Sequence, residues 1–136
     1  METDAEVKPK KKVNGKANRN KGHNYERKWA KIFRDELGFK FCKTSRLASK
    51  LLDNSNVDLA FIPFNVQCKN VKSGLNYSDE IKKVQEELKQ NFPPTDQQHN
   101  HPIIIAHKKE KDELIVMTAS DFIKILKGKD IYGIQN

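Results

Sequence analysis

Apolar side chains recur at helical spacing through Tyr25, Trp29, Ile32, Phe33 and Leu37, with Asn24 placed to cap the run and Gly38 placed to end it. That pattern predicts an amphipathic helix. Residues 39–44 then alternate apolar and polar as a half-buried strand does, and residues 45–56 are polar and irregular enough for a loop or a short helical turn. Residues 57–62 and 65–71 read as two further strands meeting at Pro63, which makes a hairpin the natural connection.

Further along, Ser78 is placed to cap a second helix, with Asp79 and Glu80 in its first turn and Ile81, Val84 and Leu88 as its apolar stripe. The prolines at 93, 94 and 102 confine residues 91–102 to a loop. Short apolar strands over residues 103–106 and 114–117 flank a charged turn, and Phe122, Ile125 and Leu126 give a closing helix over residues 121–126 its buried side. The predicted order is α-β-β-β-α-β-β-α without internal repeat: an α/β fold with a central mixed β-sheet flanked by helices.

Composition narrows this picture. A chain of 136 residues suits one compact domain. Residues 1–21 hold seven Lys or Arg against three acids, with Val7 and Val13 as the only large apolar side chains after Met1. They read as a basic, solvated, disordered tail ahead of a folded domain over residues 22–136. Tail and domain together carry a formal +8, a balance that calls for a polyanionic partner, nucleic acid first. No apolar run is long enough to cross a bilayer or to serve as a secretory signal, and two cysteines, Cys42 and Cys68, cannot build a disulfide framework. The expectation is a reduced, intracellular, cytoplasmic protein without a membrane partner.

Candidate chemistry gathers at Glu26 near the start of the first helix, Asp58 in one strand, and Gln67 and Lys69 in the next. Strand alternation puts Gln67 and Lys69 on one face and Val66 and Cys68 on the other. A tight turn centred between Ile62 and Pro63 would set Asp58 across from Gln67, whereas a three-residue turn would shift the pairing by one. Oxygen donors of this kind suit Mg²⁺, a hard ion, with Glu26, Asp58 and Gln67 as its ligands. Lys69 is then placed to orient water or to stabilise charge developing on a scissile phosphate.

These residues resemble the PD-(D/E)xK nuclease superfamily, in particular its small archaeal- and phage-type Holliday-junction resolvases. The likeness rests on residues 22–27 opening the first helix, on Lys43-Thr44-Ser45-Arg46, on Asn56-Val57-Asp58-Leu59 and on Val66-Gln67-Cys68-Lys69. The resemblance implies a restriction-endonuclease-like fold and catalytic roles for Glu26, Asp58, Gln67 and Lys69, the first three binding Mg²⁺, with Mn²⁺ able to substitute. It implies an Mg-dependent endodeoxyribonuclease of DNA recombination that hydrolyses branched DNA, four-way junctions above all, works as a homodimer, and is encoded by a phage or mobile element. Ser45 and Arg46 would lie near the substrate phosphates, joined as DNA contacts by Lys43, Lys72, Arg19 and Lys21. Gln67 departs from the pattern, which has Glu or Asp there, so one negative charge is missing.

Several other residues have ordinary readings. Asp53 is a second acid near Asp58, in the expected loop. His99 and His101 sit in a Pro-rich loop, with His107 nearby, but lack cysteine partners at zinc-site spacing, and read as surface residues. Cys68 points to the core, and Trp29 lies on the apolar stripe. The rival within enzymes is a nuclease for another DNA structure; outside enzymes stand a nucleic-acid-binding module whose metal site has degenerated at Gln67 and a basic structural protein.

Overall fold

The computed structural model describes residues 2–128 of the chain. Helix α1 (Glu2–Lys31) leads into a single π turn at Ile32–Glu36, where the Leu37 N–H reaches back to the Ile32 carbonyl. Gly38, at φ +83°, then ends the run as the sequence predicts, and the Phe39 N–H closes the helix terminus on the Phe33 carbonyl. The start differs from the expectation. Asn24 lies inside α1 and its side chain accepts from the Arg27 guanidinium rather than capping. The same helix runs through residues 2–21, where Lys, Ala and Glu are good helix formers even though the segment lacks an apolar stripe.

The remaining elements are β1 (Lys43–Thr44), α2 (Ser45–Ala48), α3 (Lys50–Asn54), β2 (Leu59–Ala60), β3 (Asn65–Asn70), α4 (Tyr77–Asn91), β4 (Ile103–Lys109), β5 (Asp112–Val116) and α5 (Ala119–Lys127), with a 3₁₀ turn at Gln97–Asn100. The architecture is mixed α/β in one small domain. Asn76, not Ser78, caps α4 by accepting the Asp79 N–H, and Thr118 caps α5.

The strands pair differently from the simplest reading. The expected strand over residues 39–44 shrinks to β1, because Phe39 and Cys42 reach the core from a turn while Phe41 between them is 76% exposed. The hairpin across Pro63 does not form as a ladder. β2 pairs antiparallel with β1, and β3 pairs parallel with β4, which pairs antiparallel with β5. Two sheets result, β1-β2 and the mixed sheet β3-β4-β5, in place of one central sheet. Phe61 at φ +67°, followed by Ile62-Pro63, turns the chain out of the pleat, so the main-chain link beside β3 is carried by the Asp58 N–H donating to the Val66 carbonyl. Helix α4 is thus the crossover of a parallel β-α-β unit.

Strands β3 and β4 of the mixed sheet are covered on both faces, while β5 is largely exposed. Val66, Cys68, Ile104 and Ala106 pack with Tyr25, Ala30 and Phe33 of α1 and its π turn, while Ile103 and Ile105 pack with Ile81, Val84 and Leu88 of α4. Each Val, Leu, Ile or Phe among them contributes about 1.5–3 kcal/mol by leaving water. Gln67 and Lys69 are in register with Ile105 and His107, so the division of β3 into two faces holds as predicted. Among the described residues no helix is long and apolar enough to cross a membrane.

Candidate active site

Asp58 is the residue on which the site is built. Its N–H donates to the Val66 carbonyl at 2.7 Å, its carbonyl accepts from the Ser45 N–H at 2.8 Å, and its Oδ2 accepts from the Cys68 N–H at 2.7 Å. These three bonds tie the start of α2 to β3 and clasp β3 on either side of Gln67. Asp58 therefore sits beside Gln67, close to the cross-strand pairing a tight turn would give, although no ladder supports it.

Burial pushes the Asp58 carboxyl up to about 7, and the Glu26 carboxylate, with Asp53 behind it, pushes the same way; the Cys68 N–H and the Lys69 ammonium pull it down without restoring an ordinary carboxylate. Glu26, one residue beyond the buried Tyr25 on α1, is likewise raised by burial, against the pull of Arg46 and His23. Its Oε1 lies 3.5 Å from Arg46 Nε on α2. Asp58 is thus within electrostatic reach of two other expected residues, Glu26 and Lys69. Asp53, on α3, acts on both acids.

Gln67 is 4% exposed, and its Oε1 has no hydrogen-bond partner among the described residues. A buried, unpaired carbonyl oxygen costs about 1–3 kcal/mol. Two carboxylates and this free oxygen are hard-oxygen donors, the chemistry that a divalent cation such as Mg²⁺ takes. Among the described residues no three His, Cys, Asp or Glu side chains are grouped as metal ligands, as expected where an amide stands in the third position.

Lys69 brings in a residue the sequence reading passed over. Its Nζ lies 3.9 Å from Glu80 Oε1 in the first turn of α4. Glu80 had a sufficient explanation as an acid at a helix N-terminus, and only the crossover topology brings that turn beside β3.

The expected DNA contacts separate into groups. Lys21 and Lys72 line one concavity with Lys69, and Arg19 is exposed on α1 nearby in sequence. Lys43 is exposed on β1 and Arg46 holds Glu26. Ser45 differs from its expected place at the surface: it is fully buried, and its Oγ has no partner among the described residues. His99 and His101 are half-buried in the loop, whereas His107 is fully buried, held by the Tyr77 hydroxyl at Nδ1 and the Val71 carbonyl at Nε2. Cys68 lies in the core, where burial and the nearby acids push its thiol well above the ordinary range and leave it unsuited to act as a nucleophile. Trp29 is half-buried against the same core.

Two acids raised by burial, an orphaned amide oxygen and a paired lysine lie on or beside a β-α-β frame. The family model described as "Phage putative PDDEXK endonuclease" matches residues 17–136, and the chain belongs to this family and through it to the PD-(D/E)xK nuclease superfamily. Searches of curated proteins and of solved structures return no match.

Proposed function

We propose that the protein is a metal-dependent, structure-selective DNA endonuclease that hydrolyses phosphodiester bonds and resolves four-way junctions. One observation carries the reading: Asp58 is buried beside the Glu26 carboxylate and held by three main-chain hydrogen bonds, yet has a pKa near 7. Acids forced together in this way are what a cation site requires, and they lower the stability of the empty fold. Glu26, Asp58 and Gln67 Oε1 would hold Mg²⁺, with Mn²⁺ able to replace it. When bound, the ion supplies Lewis-acid stabilisation of charge on the phosphate.

The chain's own groups do the rest. Lys69, steadied by Glu80, presents an ammonium to charge developing on the scissile phosphate. Arg46 balances Glu26 at the rim, and Lys21 and Lys72 extend the positive surface along the groove beside Lys69. Family habit supports a phage-encoded enzyme acting inside the host cell as a homodimer that cuts two strands symmetrically.

Gln67 favours one rival, a DNA-binding module whose nuclease site has lost its third charge. Cleavage of an end-labelled four-way junction and of a linear duplex with the same arms, under Mg²⁺, Mn²⁺ or EDTA, separates the two. Paired metal-dependent nicks near the branch point, absent in Asp58→Asn, are the expected result. Equal cutting of both substrates would keep the nuclease and remove junction selectivity. Binding without cutting in either metal would select the module.

A further inference from the structure

We infer that the surface flanking the active site receives an unstacked nucleotide of branched DNA, with Phe61 as the platform on which the base stacks and Arg27, Arg34 and Lys43 as contacts to its phosphates. This deepens the nuclease reading above and rests on it.

Phe61 carries the inference. Among the described residues three besides glycine have positive φ, namely Asn56, Phe61 and Glu110. Asn tolerates that conformation, and Glu110 sits in the β4-β5 turn. A phenylalanine at φ +67° is a strained exception, and strain of this kind concentrates where a side chain is held for use. The strain brings no burial in return, since the ring is 60% exposed, beside Leu47 at 81%.

The surroundings specify an anion. Phe61 and Leu47 share an open pocket with Arg27, Ala30, Arg34 and Lys43, and no carboxylate among the described residues lines it. On α1 and its π turn, Arg27 and Arg34 both line this pocket on either side of the core residue Ala30, Arg27 donating to the Asn24 side chain and Arg34 to the Cys42 carbonyl, which leaves further N–H groups of each guanidinium for a phosphate. Lys43 pairs across the β1-β2 ladder with Ala60, the residue before Phe61. Two copies meeting through this face would bring like charges together, whereas a polyanion neutralises them.

The position specifies which DNA. The pocket adjoins the candidate active site along two elements at once, since Arg27 follows Glu26 on α1 and Leu47 follows Arg46 on α2. An exposed aromatic ring takes a base face and is indifferent to its identity. Intact duplex offers no free base face, while a branch point does. An apolar side chain inserted at an unstacked step would also hold the strand open next to the carboxylates.

The test is fluorescence anisotropy in EDTA with three labelled DNAs: a four-way junction, a single strand, and a linear duplex with the junction's arms. Phe61→Ala should weaken binding to the junction and the single strand on the order of tenfold and leave the duplex unchanged. Phe61→Gly removes the ring while relieving the backbone, so it should match Phe61→Ala and exclude misfolding as the cause. Phe61→Trp should keep wild-type affinity, with its indole emission quenched by DNA. Equal weakening on all three DNAs, or none, would overturn the inference. So would sedimentation showing that Phe61→Ala breaks a dimer with junction binding unchanged, which would assign the face to a second copy. A wild-type protein that cuts nothing in any metal would remove the nuclease reading and leave the EDTA comparison standing. Normal cutting with unaltered Phe61→Ala binding would remove this inference alone.

Discussion

The ammonium of Lys69 lies 3.9 Å from Glu80 Oε1, so the lysine of the β3 motif is held from the opposite element of the β-α-β unit. Glu80 also faces Lys83 at 3.9 Å, one turn along α4, which sets the carboxylate between two cations. An anchored ammonium loses fewer rotamers when it meets a phosphate than a free one does.

Glu80→Gln should therefore lower kcat for junction cleavage on the order of tenfold with little change in KM, while Lys69→Ala should lower it by about 10²-fold or more, as loss of a group that stabilises developing charge does. Single-turnover cleavage at saturating Mg²⁺ reads both. Equal losses would make Glu80 a participant in its own right rather than a positioning residue.

The Asp58 carboxyl gives a stability prediction whose sign is unusual for an acid. Its pKa in the fold is about 7 against an ordinary 3.8, so between those values the folded state binds the proton that the unfolded state has released. Stability of the metal-free protein should fall as pH rises through this window, at up to about 1.4 kcal/mol per pKa unit from this group. Asp58→Asn keeps an oxygen for the Cys68 N–H and carries no charge. It should raise the urea midpoint above that of the wild type at about pH 8 in EDTA, by an amount that vanishes near pH 4. Mg²⁺ should stabilise the wild type and not the variant. A wild type as stable at pH 8 as at pH 4, with no gain from Asp58→Asn, would mean that no charge strain exists at the site.

Gln67→Glu restores the missing charge beside Asp58. Its carboxylate should tighten Mg²⁺ binding about tenfold or more, as an added ligand charge does for a hard cation, and should destabilise the metal-free fold by adding a third mutually repelling acid. Isothermal titration with Mg²⁺, paired with melts in EDTA, tests the two arms. Tighter binding with no increase in cleavage would place the limit on turnover outside the metal site.

Where residues answer to their nearest neighbours, the sequence was readable: the apolar stripe from Tyr25, the stop at Gly38 and the two faces of β3 follow from spacing alone. The closeness of Asp58 to Gln67 was also within reach, since a short turn admits few alternatives. Pairings across longer stretches were not. β3 meets Asp58's segment along one edge and pairs with β4 along the other, and the pairing with β4 depends on α4 burying Ile81, Val84 and Leu88 against Ile103 and Ile105, which no local pattern announces. Ser45 looks like any polar loop residue until its N–H is found on the Asp58 carbonyl. Glu80 looks like any helix-opening acid until the crossover carries it to Lys69.

The Arg46–Glu26 contact, at 3.5 Å, couples the rim of the candidate site to its acids, and a shifted pH range of cleavage is the expected effect of removing it. Arg46 lowers the Glu26 pKa against burial, and a charged Glu26 in turn raises Asp58. Removing the guanidinium thus acts in two opposed ways: Glu26 protonates at higher pH, and a neutral Glu26 no longer raises Asp58. Metal binding needs both carboxylates charged, so the step that fails first as pH falls is the protonation of whichever acid has the higher pKa. In Arg46→Gln the pair as a whole loses a neighbouring cation, and the total cost of charging both groups can only rise. The acid limb of the cleavage profile should therefore move to higher pH. Arg46→Lys should recover part of the shift, because the charge returns without the planar fork. Loss of a phosphate contact alone would weaken binding equally at every pH, steepen with salt, and leave the limb in place. The pH profile of kcat/KM at two ionic strengths distinguishes a residue that tunes the acids from one that only grips DNA.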